Sequence, residues 1–183
     1  MVRTYGAAVL AAGILAVMGL TGCASTPPTA DFSHAIVPAA KVTSPDTVTV
    51  TVDSADGLTI LPVEKERIAE KVTMKINSRK VANASAGAAR AYEVDLHLTR
   101  YDKGNAFARA MLAGLGQIHI EGVVSVFQMP GRTPVGEFTL KKTFAWGGIY
   151  GAATSIEDIE DTFADGVAAA VTGQKEAPPK QKS

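Results

Sequence analysis

Residues 118–146 read IHIEGVVSVFQMPGRTPVGEFTLKKTFAW, and this stretch decides the fold. Ile118, Ile120, Val124 and Val126 share one side of a two-residue period, with Gly122 also on it. Phe138, Leu140, Phe144 and Trp146 oppose Glu137, Thr139, Lys141 and Thr143, and Lys142 interrupts the apolar side. Successive side chains of a strand point to opposite sides, so such alternation marks strands with one covered face and one wet face. Pro130-Gly131-Arg132-Thr133-Pro134 separates the two runs with turn-forming residues, and the strands are expected to pair antiparallel.

The same period recurs on the N-terminal side. Tyr92, Val94, Leu96 and Leu98 alternate with Glu93, Asp95, His97 and Thr99, and Val48, Val50 and Val52 alternate with Thr47, Thr49, Thr51 and Asp53. Between these runs the period changes. Pro62 to Asn77 puts Ile68, Val72 and Ile76 on one helical stripe and leaves Glu64, Lys65, Glu66 and Lys71 for water. Pro62 suits a first helical turn, where its missing N–H costs nothing. Asn83 to Ala89 reads as a small-residue connection. A second helix is expected over Ser155 to Val171, with Ile156, Ile159, Phe163, Val167 and Ala170 along one face. Thr154 with Glu157 fits a capping box, and Asp158 adds negative charge to the first turn.

The expected order is β-α-β-β-β-α in an α+β chain. Two amphipathic helices cover one face of a sheet of about four strands, largely antiparallel, in a two-layer α/β sandwich. The other face, rich in Thr, Glu, Asp and His, is left for solvent or a partner. This single domain is expected over residues 46–172. Residues 23–45, with Pro27, Pro28, Pro38 and Pro45 and no sustained period, read as a tether, and 173–183 as a disordered polar tail.

The N-terminus carries an address. Arg3 is the only charge before Ala7–Leu20, an unbroken stretch of apolar residues and glycine. A positive start and a short apolar run are the parts of an export signal, here residues 1–22, and the run falls short of the roughly 20 residues that span a bilayer. Leu20-Thr21-Gly22-Cys23 then resembles the lipobox of bacterial lipoproteins. That resemblance implies a diacylglycerol on the Cys23 thiol, cleavage between Gly22 and Cys23, and in many bacteria acylation of the new amine. The chain has one cysteine, placed where lipidation would consume it, whereas exported chains otherwise use cysteines in pairs. Each buried methylene contributes about 0.8 kcal/mol, so two or more acyl chains anchor stably. By resemblance to Gram-negative sorting rules, Ala24 implies transfer to the outer membrane, with the domain facing the periplasm.

Composition narrows the partners. The 18 basic and 18 acidic residues cancel, and removing residues 1–22 takes away only Arg3. That balance leaves no electrostatic footprint for nucleic acid and no polybasic signal for lipid head groups.

Candidate chemistry is sparse among the three histidines. His34 lies in the tether. His97 sits near Glu93 and Asp95, and His119 near Glu121; antiparallel pairing could bring His97 toward Glu121 and make a zinc site. Nothing in the spacing enforces that convergence, and no metal is expected. Ser125 follows two valines in a strand and has no Gly-x-Ser-x-Gly elbow around it. Neither an enzyme nor a cofactor is expected. Gly147 to Thr154 leads into the last helix and could present N–H groups to an anion, although the Lys-Ser/Thr pair of a phosphate loop is missing. Glycines in such a turn also serve positions that need positive φ.

Gly104 to Gly116 (GNAFARAMLAGLG) is longer than a hairpin needs and quite apolar. Phe107, Met111 and Leu115 have helical spacing. They form either a short helix packed on the sheet edge or an exposed surface that docks a partner or dips into lipid. Phe144, Trp146 and Tyr150 could join such a patch, since aromatic residues are enriched at contact cores.

Leu98-Thr99-Arg100-Tyr101-Asp102 followed by Gly104–Gly116 resembles a group of bacterial envelope lipoproteins known as a domain of unknown function. The resemblance runs from about Val94 to Gly116, with Phe144-Ala145-Trp146-Gly147-Gly148 as a looser second anchor, and it brings no catalytic residues. The element order is also similar to small periplasmic domains that serve as assembly parts of envelope machines, a likeness of fold only. The leading expectation is a non-enzymatic, outer-membrane-anchored lipoprotein that binds an envelope protein as an accessory module. The alternative is a small-molecule or anion-binding lipoprotein using Gly147–Thr154.

Overall fold

The hairpin of residues 118–144 lies at the centre of the sheet. In the computed structural model, which describes residues 27–81, 88–112 and 115–174, β3 (Ala91–Asp102), β4 (Ile118–Met129) and β5 (Thr133–Phe144) pair antiparallel in sequence order. Val124 lies opposite both Leu96 and Phe138, so the three apolar faces coincide. The turn is shorter than expected, because Thr133 already belongs to β5. Pro134, which has no N–H to donate, falls where the register with β4 slips between Val126 and Phe127.

The edges come from the flanking segments. β2 (Thr47–Ser54) pairs parallel with β3, because the chain crosses over through α1 (Pro62–Arg79) before returning. On the other edge, β1 (Thr29–His34) pairs antiparallel with β5. The sheet therefore has five strands, in the order β1-β5-β4-β3-β2, against about four expected. This corrects the tether reading of residues 23–45. An edge strand needs backbone partners on one side only, and almost all of β1 is exposed, so no apolar alternation announced it. A 3₁₀ turn at Pro38–Ala40 follows, and Val42 is buried with its N–H on the Val171 carbonyl at 3.2 Å. The domain thus starts well before residue 46.

One face of the sheet is covered by α1 and α4 (Ile156–Thr172), as expected. Ile68, Val72 and Ile76 are fully buried on α1, and Phe163, Val167 and Val171 on α4. Each such side chain contributes about 1.5–3 kcal/mol on leaving water. The cap of α4 is one residue later than expected. Ser155 Oγ accepts from the Asp158 N–H, and the Asp158 carboxylate accepts the Ser155 N–H at 3.1 Å. Gly173, at φ 68°, closes the helix in the left-handed conformation, so it ends a helix and does not begin a tail; residues 175–183 of the expected tail lie outside the described residues.

Salt links stitch the helical layer together. Glu160, buried on α4, accepts from Arg67 Nε at 2.8 Å, Arg67 Nη2 at 2.7 Å, the Tyr101 hydroxyl at 2.7 Å and Lys71 Nζ at 2.9 Å. Burial pushes the Glu160 carboxyl upward, but hydrogen bonds from Arg67, Tyr101 and Lys71 outweigh it and hold the group below the ordinary carboxylate range. Farther along, Arg79 pairs with Asp165 at 2.5 Å and Lys75 with Asp161 at 2.7 Å.

Candidate docking surface

Two further helices, unforeseen as a pair, form at one end of the sheet. α2 (Ala106–Met111) leaves the end of β3, and α3 (Gly148–Ala153) leaves the end of β5. Asp102 pairs with His119 and Ile118 with Phe144, so these strand ends coincide. The two short helices pack against each other and cap that end.

The cap is built on Arg109. Arg109 is 3% exposed, and its guanidinium donates through three nitrogens to main-chain carbonyls: Nε to Gly151 at 2.8 Å, Nη1 to Gly116 at 2.8 Å and Nη2 to Thr154 at 2.9 Å. Burial pulls its affinity for the proton down, and the three carbonyl dipoles supply the solvation that water no longer gives. Asn105 starts α2 by accepting the Ala108 N–H at 2.9 Å on its side chain. Three glycines are required, among them Gly116, which sits at φ 69° and where a Cβ would collide with the Asn105 carbonyl. Gly104 sits at φ 63°, where a Cβ would also collide with the Gly116 and Gln117 carbonyls, and a Cβ on Gly151 would collide with the Trp146 carbonyl.

Having spent its polar groups inside, the cap shows apolar ones outside. Ile149 is 87% and Phe107 74% exposed, and Met111, Leu112, Leu115, Trp146 and Tyr150 are exposed as well. Of the six expected contact residues, five are therefore on the cap surface: Phe107, Met111, Leu115, Trp146 and Tyr150. Phe144 is not. It is buried opposite Ile118, because it falls on the covered side of β5 just before the chain leaves the sheet. Of the expected Gly104–Gly116 segment, only Ala106–Met111 forms a helix, and Phe107 and Met111 on it, like Leu115 beyond it, are exposed. Arg109 was missed, although it is the one charged residue in an otherwise apolar, glycine-bounded run, and that isolation is a usable signal. Ile149 and Leu112 were missed too, although each adjoins an expected contact residue, Tyr150 and Met111.

The histidines do not converge. The register sets His97 opposite Val123 and His119 opposite Asp102, four residues along β4 and thus about 13 Å apart in register. Glu121 is two positions from Val123 on β4, and a bulge between Leu98 and Arg100 carries it opposite Arg100, which corrects the expected approach of His97 to Glu121. His97 Nδ1 instead lies 2.8 Å from Asp53 Oδ1, and Glu121 pairs with Lys141 at 3.0 Å. His119 Nδ1 lies 3.1 Å from Thr143 Oγ1, and burial pushes its imidazole below the ordinary value. Among the described residues no group of three or more His, Cys, Asp or Glu gathers to hold a metal. Gly147–Thr154, the alternative anion site, is the segment whose Gly151 and Thr154 carbonyls Arg109 takes up. Cys23 and the rest of residues 20–24 lie outside the described residues.

Fold and cap together define a two-layer α+β domain with an apolar two-helix surface at one end of its sheet. The family model described as "Domain of unknown function (DUF4410)" matches residues 40–148, and the chain belongs to that family. The matched span contains Val94–Gly116, the segment that carried the resemblance read from the sequence. Among solved structures, the PelC dodecamer from Paraburkholderia phytofirmans in space group P6 is similar at 12% identity and TM-score 0.52, covering 81% of this chain and 99% of that one. A leucine-to-methionine variant of the same dodecamer gives 11%, 0.51, 80% and 99%. Protein XCC0632 from Xanthomonas campestris, of family DUF330, gives 12%, 0.45, 70% and 85%. At such identities the PelC likeness speaks for fold alone. No curated protein matches.

Proposed function

We propose that the protein is a lipid-anchored module of the bacterial cell envelope that works by contact and not by catalysis, with the α2–α3 cap as its contact surface. The carrying observation is the cap itself. Arg109 and the glycines hold two short helices in a fixed arrangement whose outer side is apolar. An apolar surface kept rigid at a cost in buried charge makes sense when something covers it. The lipobox-like Leu20-Thr21-Gly22-Cys23 supplies the anchor, and Ala24 favours the outer membrane with the domain facing the periplasm. The module's task is then to hold a component at a fixed place in the envelope, an accessory role.

Cysteine labelling in intact cells tests this reading. Lipidation consumes the only native thiol, so Phe107→Cys or Glu66→Cys each supplies a unique probe; both positions are exposed in the isolated domain. In the envelope, Phe107→Cys is expected to resist a polar thiol reagent while Glu66→Cys reacts. After detergent extraction both should react alike. Equal labelling of the two in intact envelopes would refute a covered cap.

A further inference from the structure

The chain enters the sheet at the end that carries the cap. β1 pairs Thr29 with Lys141 and His34 with Glu137, so it begins toward the Phe144 end of β5 and runs away from it. Lys141 is three residues, about 10 Å, from that end. Pro28 and Ala30 line the same apolar groove along β5 and α4, so the chain still runs in the strand direction at Pro28. Cys23 lies six residues before Thr29, a span of at most about 20 Å. A lipid on Cys23 is thereby held within about 20 Å of Thr29, close enough to reach the end of the domain that displays Phe107, Met111, Trp146, Ile149 and Tyr150.

We infer that the cap lies on the bilayer into which the Cys23 lipid inserts. This names the occupant of the contact surface and rests on the lipid-anchored reading above. The chemistry of the cap fits an interface. Trp146 and Tyr150 combine an apolar body with a polar tip, the residues that gather at the head-group level. Ile149 and Phe107, the most exposed large apolar residues among the described residues, supply what enters the acyl boundary. Nearby cations are spent on neighbours: Arg100 pairs with Asp102 at 3.1 Å and Lys103 with Glu64 at 2.8 Å. The contact is thus apolar rather than ionic and should persist in high salt. Two attachment points, lipid and cap, fix the domain's orientation, where a lipid alone would let it swivel. The polar face of the sheet then remains open to the periplasm for a protein partner.

Trp146 is the only tryptophan and reports on the cap directly. The full lipidated protein is reconstituted into phosphatidylcholine vesicles with and without brominated acyl chains, and the acyl mass on Cys23 is measured in the same sample. The expected result is blue-shifted Trp146 emission, quenched by the brominated lipid at low and high salt alike. The double variant Phe107→Ser, Ile149→Ser should lose most of that quenching. An acylated protein whose Trp146 emission ignores the brominated lipid overturns the membrane contact while leaving the anchor standing. So does a crosslink from Trp146 to a protein, a second copy of this chain included. Absence of acyl mass on Cys23 overturns both.

Discussion

Arg109 on α2 donates its Nε–H to the Gly151 carbonyl on α3 at 2.8 Å, joining positions 42 residues apart at one end of the sheet. Arg109→Met keeps the apolar stem but leaves the Gly116, Gly151 and Thr154 carbonyls without this donor. A buried group so abandoned costs about 1–3 kcal/mol. Because the cap is peripheral, that cost should appear as local opening. Hydrogen exchange within 106–111 and 148–153 is expected to accelerate while β3 and β4 keep their protection. Arg109→Lys should rescue only in part, since an ammonium cannot reproduce the guanidinium fork.

Gly151→Ala is expected to destabilise the domain by about 1–3 kcal/mol, the usual cost of forcing atoms into filled space. The added Cβ meets the Trp146 carbonyl, which is backbone and cannot swing aside. A shift in the denaturant midpoint with an unchanged slope would verify it.

Stability should fall on acidification. The folded-state value of Glu160 lies below its ordinary 4.5, so its contribution is complete above that pH and is lost as pH drops through the lowered value. His119 acts in the same sense from nearer 6.5, because burial, aided by Arg100, disfavours its charged form in the folded chain. Thermal unfolding between pH 7 and pH 3 should show a falling midpoint, and Glu160→Gln should flatten the acid limb while lowering the plateau near neutrality. A midpoint indifferent to pH over that range would rule the network out as a stabiliser.

Phe107→Ser and Ile149→Ser should each change stability by no more than about 0.5 kcal/mol, since both side chains are exposed. Chemical denaturation checks this, and an unchanged midpoint makes any effect on envelope contact attributable to the surface.

Much of the fold was legible because one-sided burial writes a period into the sequence. The Ile68-Val72-Ile76 stripe and the alternating runs of β2, β3, β4 and β5 each lie on a covered face, and each element formed near its expected bounds. β1 escaped because an exposed edge strand leaves no apolar period. The parallel pairing of β2 with β3 depends on a crossover, which alternation does not encode. Of the cap, the apolar residues were visible as spaced exceptions in glycine-rich segments. Their frame was not, because the three bonds of Arg109 go to backbone carbonyls, which any residue type provides. Phe144 was misjudged because it belongs both to the apolar run of β5 and to the aromatic turn beyond it, and the covered face claimed it.

The anchor and the orientation of the cap on the bilayer both depend on Cys23, and the mass of the mature N-terminus tests them most directly. A chain beginning at Cys23 and carrying diacylglycerol, with Cys23→Ser left unacylated and released from membranes, is the predicted result. A mature chain that begins elsewhere, or a Cys23 without acyl mass, would contradict it.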